Sequence, residues 1–419
     1  MKEKQMKLFG EYGEYVPGFF KISINKELFE GISWNDFDNE EKATLVHEYI
    51  HFLQDISTTR GINYFLYVSK ILQLNFAKAY EQIDDFILLP FDFEKIGERD
   101  AYVASELQEF YTGNSEYKKV HHIDSICREE EDLINDIVRD EKLFAINVFY
   151  DNKENPYVLG NAAIAESMAY LIETYKFGGL RRKKEFPYNI CEMICEKECS
   201  LLYENKALLV AVCELSLMHY HSGDMFWHIL AEINQHNLVI SQISEFEKYF
   251  LEKTYFLYQD MNEEYEEIKN TLDFLYPVKI PMLLNINKSI YSFLQKGFDY
   301  RKKNKLFISK IMESNAVVEI VHLWMHSFGM PIICDKNNEI FASADLAVMV
   351  APFALYNFFM KRKGNNCDIA SICISQGNKN YDSNICTICP WKQAEKDELC
   401  LFGMYWHMYS LTGKNVKRK

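Results

Sequence analysis

Asp38-Asn39-Glu40-Glu41-Lys42-Ala43-Thr44-Leu45-Val46-His47-Glu48-Tyr49-Ile50-His51-Phe52-Leu53-Gln54-Asp55-Ile56 is the stretch on which the fold and chemistry of this chain turn. Asp38 can cap a helix, Glu41 three residues later completes a capping box, and Glu40 suits the positive end of the helix dipole. Leu45, Val46, Tyr49, Ile50, Phe52, Leu53 and Ile56 supply a buried face, and Ser57-Thr58-Thr59-Arg60-Gly61 ends the helix. His47 and His51 stand one turn apart on one side, so both imidazoles can share one metal ion. Glu48 lies beside them, placed to take a proton from a water held by that ion. Asp55, one turn beyond His51, is a candidate acceptor for the second ring N–H of His51, or else a surface acid at the helix end.

Upstream, Phe20-Lys21-Ile22-Ser23-Ile24 alternates apolar and polar residues, the period-two mark of a half-buried strand. Downstream, a second helix is predicted over residues 62–82, then a weaker, charged segment over 84–156 that includes Glu129-Glu130-Glu131-Asp132, a solvated face. Regular helical signal returns at 160–177 and stops at Gly178-Gly179. More helices follow over 188–329. A hairpin is predicted from Pro331-Ile332-Ile333-Cys334 and Glu339-Ile340-Phe341, and residues 346–360, which contain Pro352 and Asn357, read as a buried apolar helix. The expected fold is mainly α with a small N-terminal β-sheet (α+β) and a Cys-rich C-terminal segment. The expected regions are 1–180 with the His47 helix and a glutamate helix, 181–330 helical, and 331–419 with the cysteines.

A chain of 419 residues with 48% hydrophobic content can bury a large core. Its net charge of -15 argues against nucleic acid, which needs a basic surface. Lys414, Lys417, Arg418 and Lys419 concentrate positive charge only at the end, as a solvated terminus. No secretory signal and no membrane span is visible, so the cytoplasm is the expected compartment. Eleven cysteines there should be reduced thiols or metal ligands.

His47-Glu48-Tyr49-Ile50-His51 resembles the HExxH motif of the zincin metallopeptidases. The longer metzincin pattern is absent, because Gln54 stands where its glycine belongs and Ser57 where its third histidine belongs. The remaining arrangement is the gluzincin one, in which a glutamate from a later helix is the third ligand. That resemblance points to Glu166 within Asn161-Ala162-Ala163-Ile164-Ala165-Glu166-Ser167-Met168-Ala169, where small residues allow close helix approach; Glu173 is the reserve. Tyr170 departs from the thermolysin-like pattern, which has an acid four residues after the ligand. The resemblance covers two short helices and implies a catalytic Zn2+ on His47, His51 and Glu166. Zinc would lower the pKa of its water towards ~7, Glu48 would accept the proton, and the hydroxide would attack a carbonyl. His219-Tyr220-His221, with His228 beyond, is the densest cluster of donors for the resulting oxyanion; His219 and His221 are the candidates taken forward. By analogy, the strand at 20–24 would be the sheet edge that pairs with an extended substrate.

Five cysteines crowd the end of the chain: Cys367, Cys373, Cys386, Cys389 and Cys400. Cys386-Thr387-Ile388-Cys389-Pro390 with its neighbours suits a thiolate site on Cys373, Cys386, Cys389 and Cys400, with Cys367 as substitute. A second, structural Zn2+, an iron–sulfur cluster and a set of uncoordinated or redox-active thiols all remain open. Cys191, Cys195 and Cys199 recur every fourth residue, as a buried helical stripe would. His121-His122 is expected in a loop.

A rival constellation pairs Glu48-Tyr49-Ile50-His51 with Glu319-Ile320-Val321-His322, the two Glu-x-x-His motifs of a ferritin-like di-iron bundle. It leaves His47 unexplained, and His322 and His326 read more simply as core or surface residues. The expected function is a cytoplasmic zinc metallopeptidase acting on a protein or peptide substrate, narrow in specificity and under a regulatory protein partner. The alternative is a zinc-binding sensor or interaction protein without turnover.

Overall fold

The computed structural model describes residues 8–9, 13–18, 20–28, 33–82, 85–132, 142–178, 184–252, 256–275, 281–337, 339–341, 350–360, 363–370, 373, 382–396 and 399–419. Most of these are helical, with four small sheets. Strands β1 (Leu8–Phe9), β2 (Gly13–Val16) and β3 (Lys21–Ile24) come first, followed by helices α1 (Asn39–Ser57) and α2 (Thr59–Glu81).

Helix α1 starts where the capping residues put it. Asp38 accepts from the Glu41 backbone N–H at 2.9 Å, and the Glu41 carboxylate accepts from the Asp38 N–H at 2.9 Å. Every residue from Ala43 to Ser57 is buried, so α1 is a core helix wrapped on all sides. Its apolar members stabilise it by about 1.5–3 kcal/mol per fully buried Leu, Ile or Phe. Its polar members, His47, Glu48, His51, Gln54 and Asp55, must find partners or cost as much.

Four elements form the wrapping. β2 crosses one face, α2 turns back on another, and the helices Asn161–Phe177 and Pro281–Lys303 close the rest. Gly297 permits the last contact, since a Cβ there would stand 2.1 Å from the Ile56 carbonyl oxygen. Thr58 joins α1 to α2 without a spacer. Its N–H and hydroxyl both donate to the Gln54 carbonyl, at 3.1 and 2.7 Å, while its hydroxyl oxygen accepts from the Gly61 N–H at 3.2 Å. Arg301 ties down the end of α1: it pairs with Glu214 and donates to the Ser57 carbonyl and hydroxyl, all fully buried.

The principal sheet has the order β1, β2, β3, Ile332–Cys334, Ile340–Phe341. β2 and β3 are antiparallel with Tyr15 opposite Ile22; β3 and Ile332–Cys334 are parallel with Ile22 opposite Ile333. The alternation in β3 holds, with Ile22 and Ile24 buried against the core and Lys21 and Ser23 half-buried. Its expected place at the edge does not hold. Paired on both sides, β3 has no open backbone to offer a substrate, because a distant hairpin completes the sheet beyond it. That hairpin is the one predicted at residues 331–341, although 338 lies outside the described residues.

A three-stranded antiparallel meander, Ile123–Glu130, Phe144–Tyr150 and Tyr157–Leu159, leads directly into the helix Asn161–Phe177. That helix ends at Gly178 in the left-handed conformation, φ 67°. Ala162, Ala163, Ala165 and Ala169 are fully buried, which lets its backbone approach α1 closely. The buried apolar helix near residue 350 is Val350–Met360; residues 346–349 lie outside the described residues. The Cys191, Cys195 and Cys199 stripe is buried, as expected. His121 and His122 lie in an exposed loop, both bonded through their backbone to Asp151. Among the described residues no helix is long and apolar enough to cross a membrane.

Candidate metal centre

Two helices bring the candidate ligands together. His47 and His51 face out of α1 towards the Asn161–Phe177 helix, and Glu166 faces back from it. His47 Nε2 lies 3.1 Å from Glu166 Oε2 and 3.1 Å from His51 Nε2, and His51 Nε2 lies 3.6 Å from Glu166 Oε2. Ligand atoms about 2.0–2.1 Å from a tetrahedral ion stand about 3.3 Å apart, so this spacing suits one ion at the centre. Among the described residues this is the one group of three whose ligand atoms all fall within 4.8 Å of one another. The three residues are 5%, 0% and 2% exposed.

The partners of the other ring nitrogens decide the tautomers. His47 Nδ1 is 2.8 Å from a Glu173 carboxylate oxygen, and His51 Nδ1 is 2.8 Å from Gln54 Oε1. Both partners are acceptors, so each imidazole donates through Nδ1–H and turns the Nε2 lone pair inward. Two imidazole nitrogens and a carboxylate oxygen therefore converge on one point. Positive charge at that point, a proton on His47 or a bound cation, satisfies the carboxylate.

Electrostatics point the same way. Burial opposes charge on His47, but Glu166 and Glu173 outweigh it and hold the imidazole well above its usual pKa. Burial also opposes charge on Glu166, yet His51 and His47 bring its carboxyl down to about 2. Burial, opposed by His47 and reinforced by Glu166, Glu173 and Glu14, pushes Glu48 up to about 8. The pocket thus favours positive charge among three acidic side chains. Glu48 Oε2 is buried without a hydrogen-bond partner, next to the ligand residue His47. On its far side β2 passes so close that a Cβ on Gly13 would stand 2.9 Å from Glu48 Oε1.

Asp55 departs from both expectations for it. It is neither a surface acid nor the partner of His51. Its carboxylate is fully buried and accepts from the Tyr15 hydroxyl at 3.0 Å, the Gly18 N–H at 2.7 Å and Arg60 at 2.9 Å. It pins the first strands to α1, and Tyr15 stacks on His51 with ring centroids 6.0 Å apart. Gln54 takes the role assigned to Asp55: both lie within a turn of His51, but Asp55 is claimed by Tyr15, Gly18 and Arg60 while Gln54 is left to meet the ring. Glu173, the reserve ligand, is the outer carboxylate of His47.

His219 and His221 precede Ser222, whose N–H donates to Asn161 Oδ1 at 3.1 Å at the start of the Glu166 helix. His221 packs against Phe110 and Tyr111, at ring distances of 4.8 and 5.6 Å, and neither histidine joins the converging group. A tyrosine ring also stands by His47, that of Tyr188 at 6.2 Å, which the sequence had not singled out. His322 is exposed and packs on Trp34, so the second Glu-x-x-His is not brought to the first. Cys373, Cys386, Cys389 and Cys400 are not drawn to ligand spacing with one another.

No family model, no curated protein and no solved structure matches this chain.

Proposed function

We propose that the chain is a zinc-dependent metallopeptidase of the gluzincin type, with His47, His51 and Glu166 as ligands and Glu48 as general base. The observation that carries this reading is the inward convergence of two imidazole nitrogens and a carboxylate oxygen beside an unpartnered buried glutamate. Two nitrogens and one oxygen form a donor set that zinc accepts, and three protein ligands leave a fourth position open. When bound, such an ion makes water acidic near neutral pH and polarises a carbonyl oxygen.

The rest falls to the chain itself. Glu173 and Gln54 hold the two imidazoles in the tautomer that binds metal. Glu48, with an oxygen uncommitted to any other group, takes the proton of the attacking water and returns it to the leaving amine. A protein or peptide is the proposed substrate, and a narrow one, with a regulatory partner controlling access. Glu48→Gln tests this reading: cleavage of a peptide library should vanish while one metal ion per chain is retained. Retention of full cleavage by that variant would overturn it.

One observation favours a second reading. All four groups are 5% exposed or less, so the site is sealed as a sensor's could be. A metal-dependent interaction protein without turnover would bind one ion and show no cleavage by the wild type.

A further inference from the structure

Tight packing walls the metal centre on several sides. Between α1 and the first sheet, a Cβ on Gly13 would stand 2.8 Å from Thr44 Cγ2. Towards the Glu166 helix, Ala162, Ala165 and Ala169 are fully buried, and His51 lies buried against the Tyr15 ring. Side-chain exposure rises along one line, from 0% at His51 and 2% at Glu166 to 7% at His47 and 14% at Glu173. The way to solvent therefore runs past His47 and Glu173.

Tyr188 stands beside that way. Its buried ring lies 6.2 Å from the ring of His47 and 5.9 Å from that of Tyr170, four residues after Glu166. It belongs to a short bridge, residues 187–189, between two fully buried anchors, Phe186 and Ile190. Phe186 packs on Tyr150 and Tyr157 at ring distances of 5.3 and 4.9 Å, and Ile190 opens the helix Ile190–Glu198. Ser167, the neighbour of Glu166, holds both flanks of the bridge. Its hydroxyl donates to the Pro187 carbonyl at 2.9 Å and accepts from the Cys191 N–H at 3.4 Å. Asn189 ties the bridge to its own start: its N–H donates to the Glu185 carbonyl at 2.8 Å, and its Oδ1 accepts from the Glu185 N–H at 3.1 Å. With the backbone held at both ends, motion in the bridge falls to the Tyr188 side chain.

We propose that Tyr188 is a gate on the ion's path. Its ring turns aside to let a cation reach or leave His47, His51 and Glu166, and Ser167 is the positioning residue that keeps it shut. This gate presupposes an ion at that group but not peptide cleavage. A gate and the partner of a ligand leave different marks. A ring that only blocks the way raises the barrier to entry and exit equally, so it slows both rates and leaves their ratio, Kd, unchanged. An outer partner such as Glu173 or Gln54 stabilises the bound state, so its loss changes Kd.

Stopped-flow transfer of Zn2+ in the full chain tests it, with uptake by the ion-free protein and loss to excess chelator measured separately. Tyr188→Ala should speed both by about tenfold while Kd stays within about twofold of the wild type. Tyr188→Phe keeps the ring and should exchange Zn2+ at the wild-type rates. Ser167→Ala should quicken both rates more mildly, again at constant Kd, and it carries the test where Tyr188→Ala does not fold. Unchanged rates in the alanine variants, faster loss alone with a weakened Kd, or a phenylalanine variant as fast as Tyr188→Ala would overturn the gate. A wild type that binds no Zn2+ would overturn the metal centre and the gate with it, whereas one ion held with unaltered exchange overturns the gate alone.

Discussion

Gln54 Oε1 lies 2.8 Å from His51 Nδ1, and the same side chain donates to the Ala165 carbonyl at 3.2 Å, on the helix that carries Glu166. One amide therefore orients a candidate ligand on its own helix and registers that helix against the other. Gln54→Leu should weaken metal binding about 10–100-fold, as loss of an outer partner does, with little change in helical content. Competition with a chelator measures it, and unchanged affinity would show that His51 is oriented by packing alone.

Glu173→Gln should act on His47 in the same way but more mildly, since the amide oxygen can still accept. Glu173→Ala should lose about as much as Gln54→Leu. Metal content after dialysis distinguishes the two substitutions.

Removing the ion should lower stability, because it binds only where the three ligands converge. At free metal a thousandfold above Kd the gain is about 4 kcal/mol, so chelator treatment should reduce Tm clearly. Glu166→Ala should have the low Tm already and respond little to chelator. An equal drop in both would place the stabilising ion at another site.

Arg301 and Glu214 form a fully buried pair, with the Ile308 and Ser309 N–H groups also donating to Glu214. Glu214→Ala leaves the Arg301 charge uncompensated and should cost about 3–5 kcal/mol. Denaturant unfolding measures it. A cost under about 1 kcal/mol would mean that solvent reaches the pair.

Burial, against the pull of Asp224, holds both His219 and His221 down to about 4. In the unfolded chain each would titrate near ~6.5, so between these values the folded chain binds fewer protons. Their contribution is complete above about pH 6.5 and is lost as pH falls towards 4. Being only partly buried, each should account for about 1–2 kcal/mol of that loss. His221→Gln should flatten the fall in stability between pH 6.5 and 4, and an unaltered slope would refute the effect.

The capped helix, its length and the pair of imidazoles were legible because they are local: capping, apolar spacing and a four-residue repeat all lie within one segment. Glu166 was legible through alanines that announce close helix contact. The partners of His51, the burial of Asp55 and the pairing of β3 were not. Each depends on which distant segment arrives, and the Arg60 guanidinium that claims Asp55 gave no signal beyond an ordinary charged residue at a helix junction. Gln54 could have been found, since its three-residue spacing from His51 is a helical-face relation.

Thr58 closes one helix and opens the next with no residue between, and it grips the very carbonyl that belongs to Gln54. Such a joint leaves no slack between the two helices. The two helices are thereby held at one fixed angle, and the residues on either side of the joint move together.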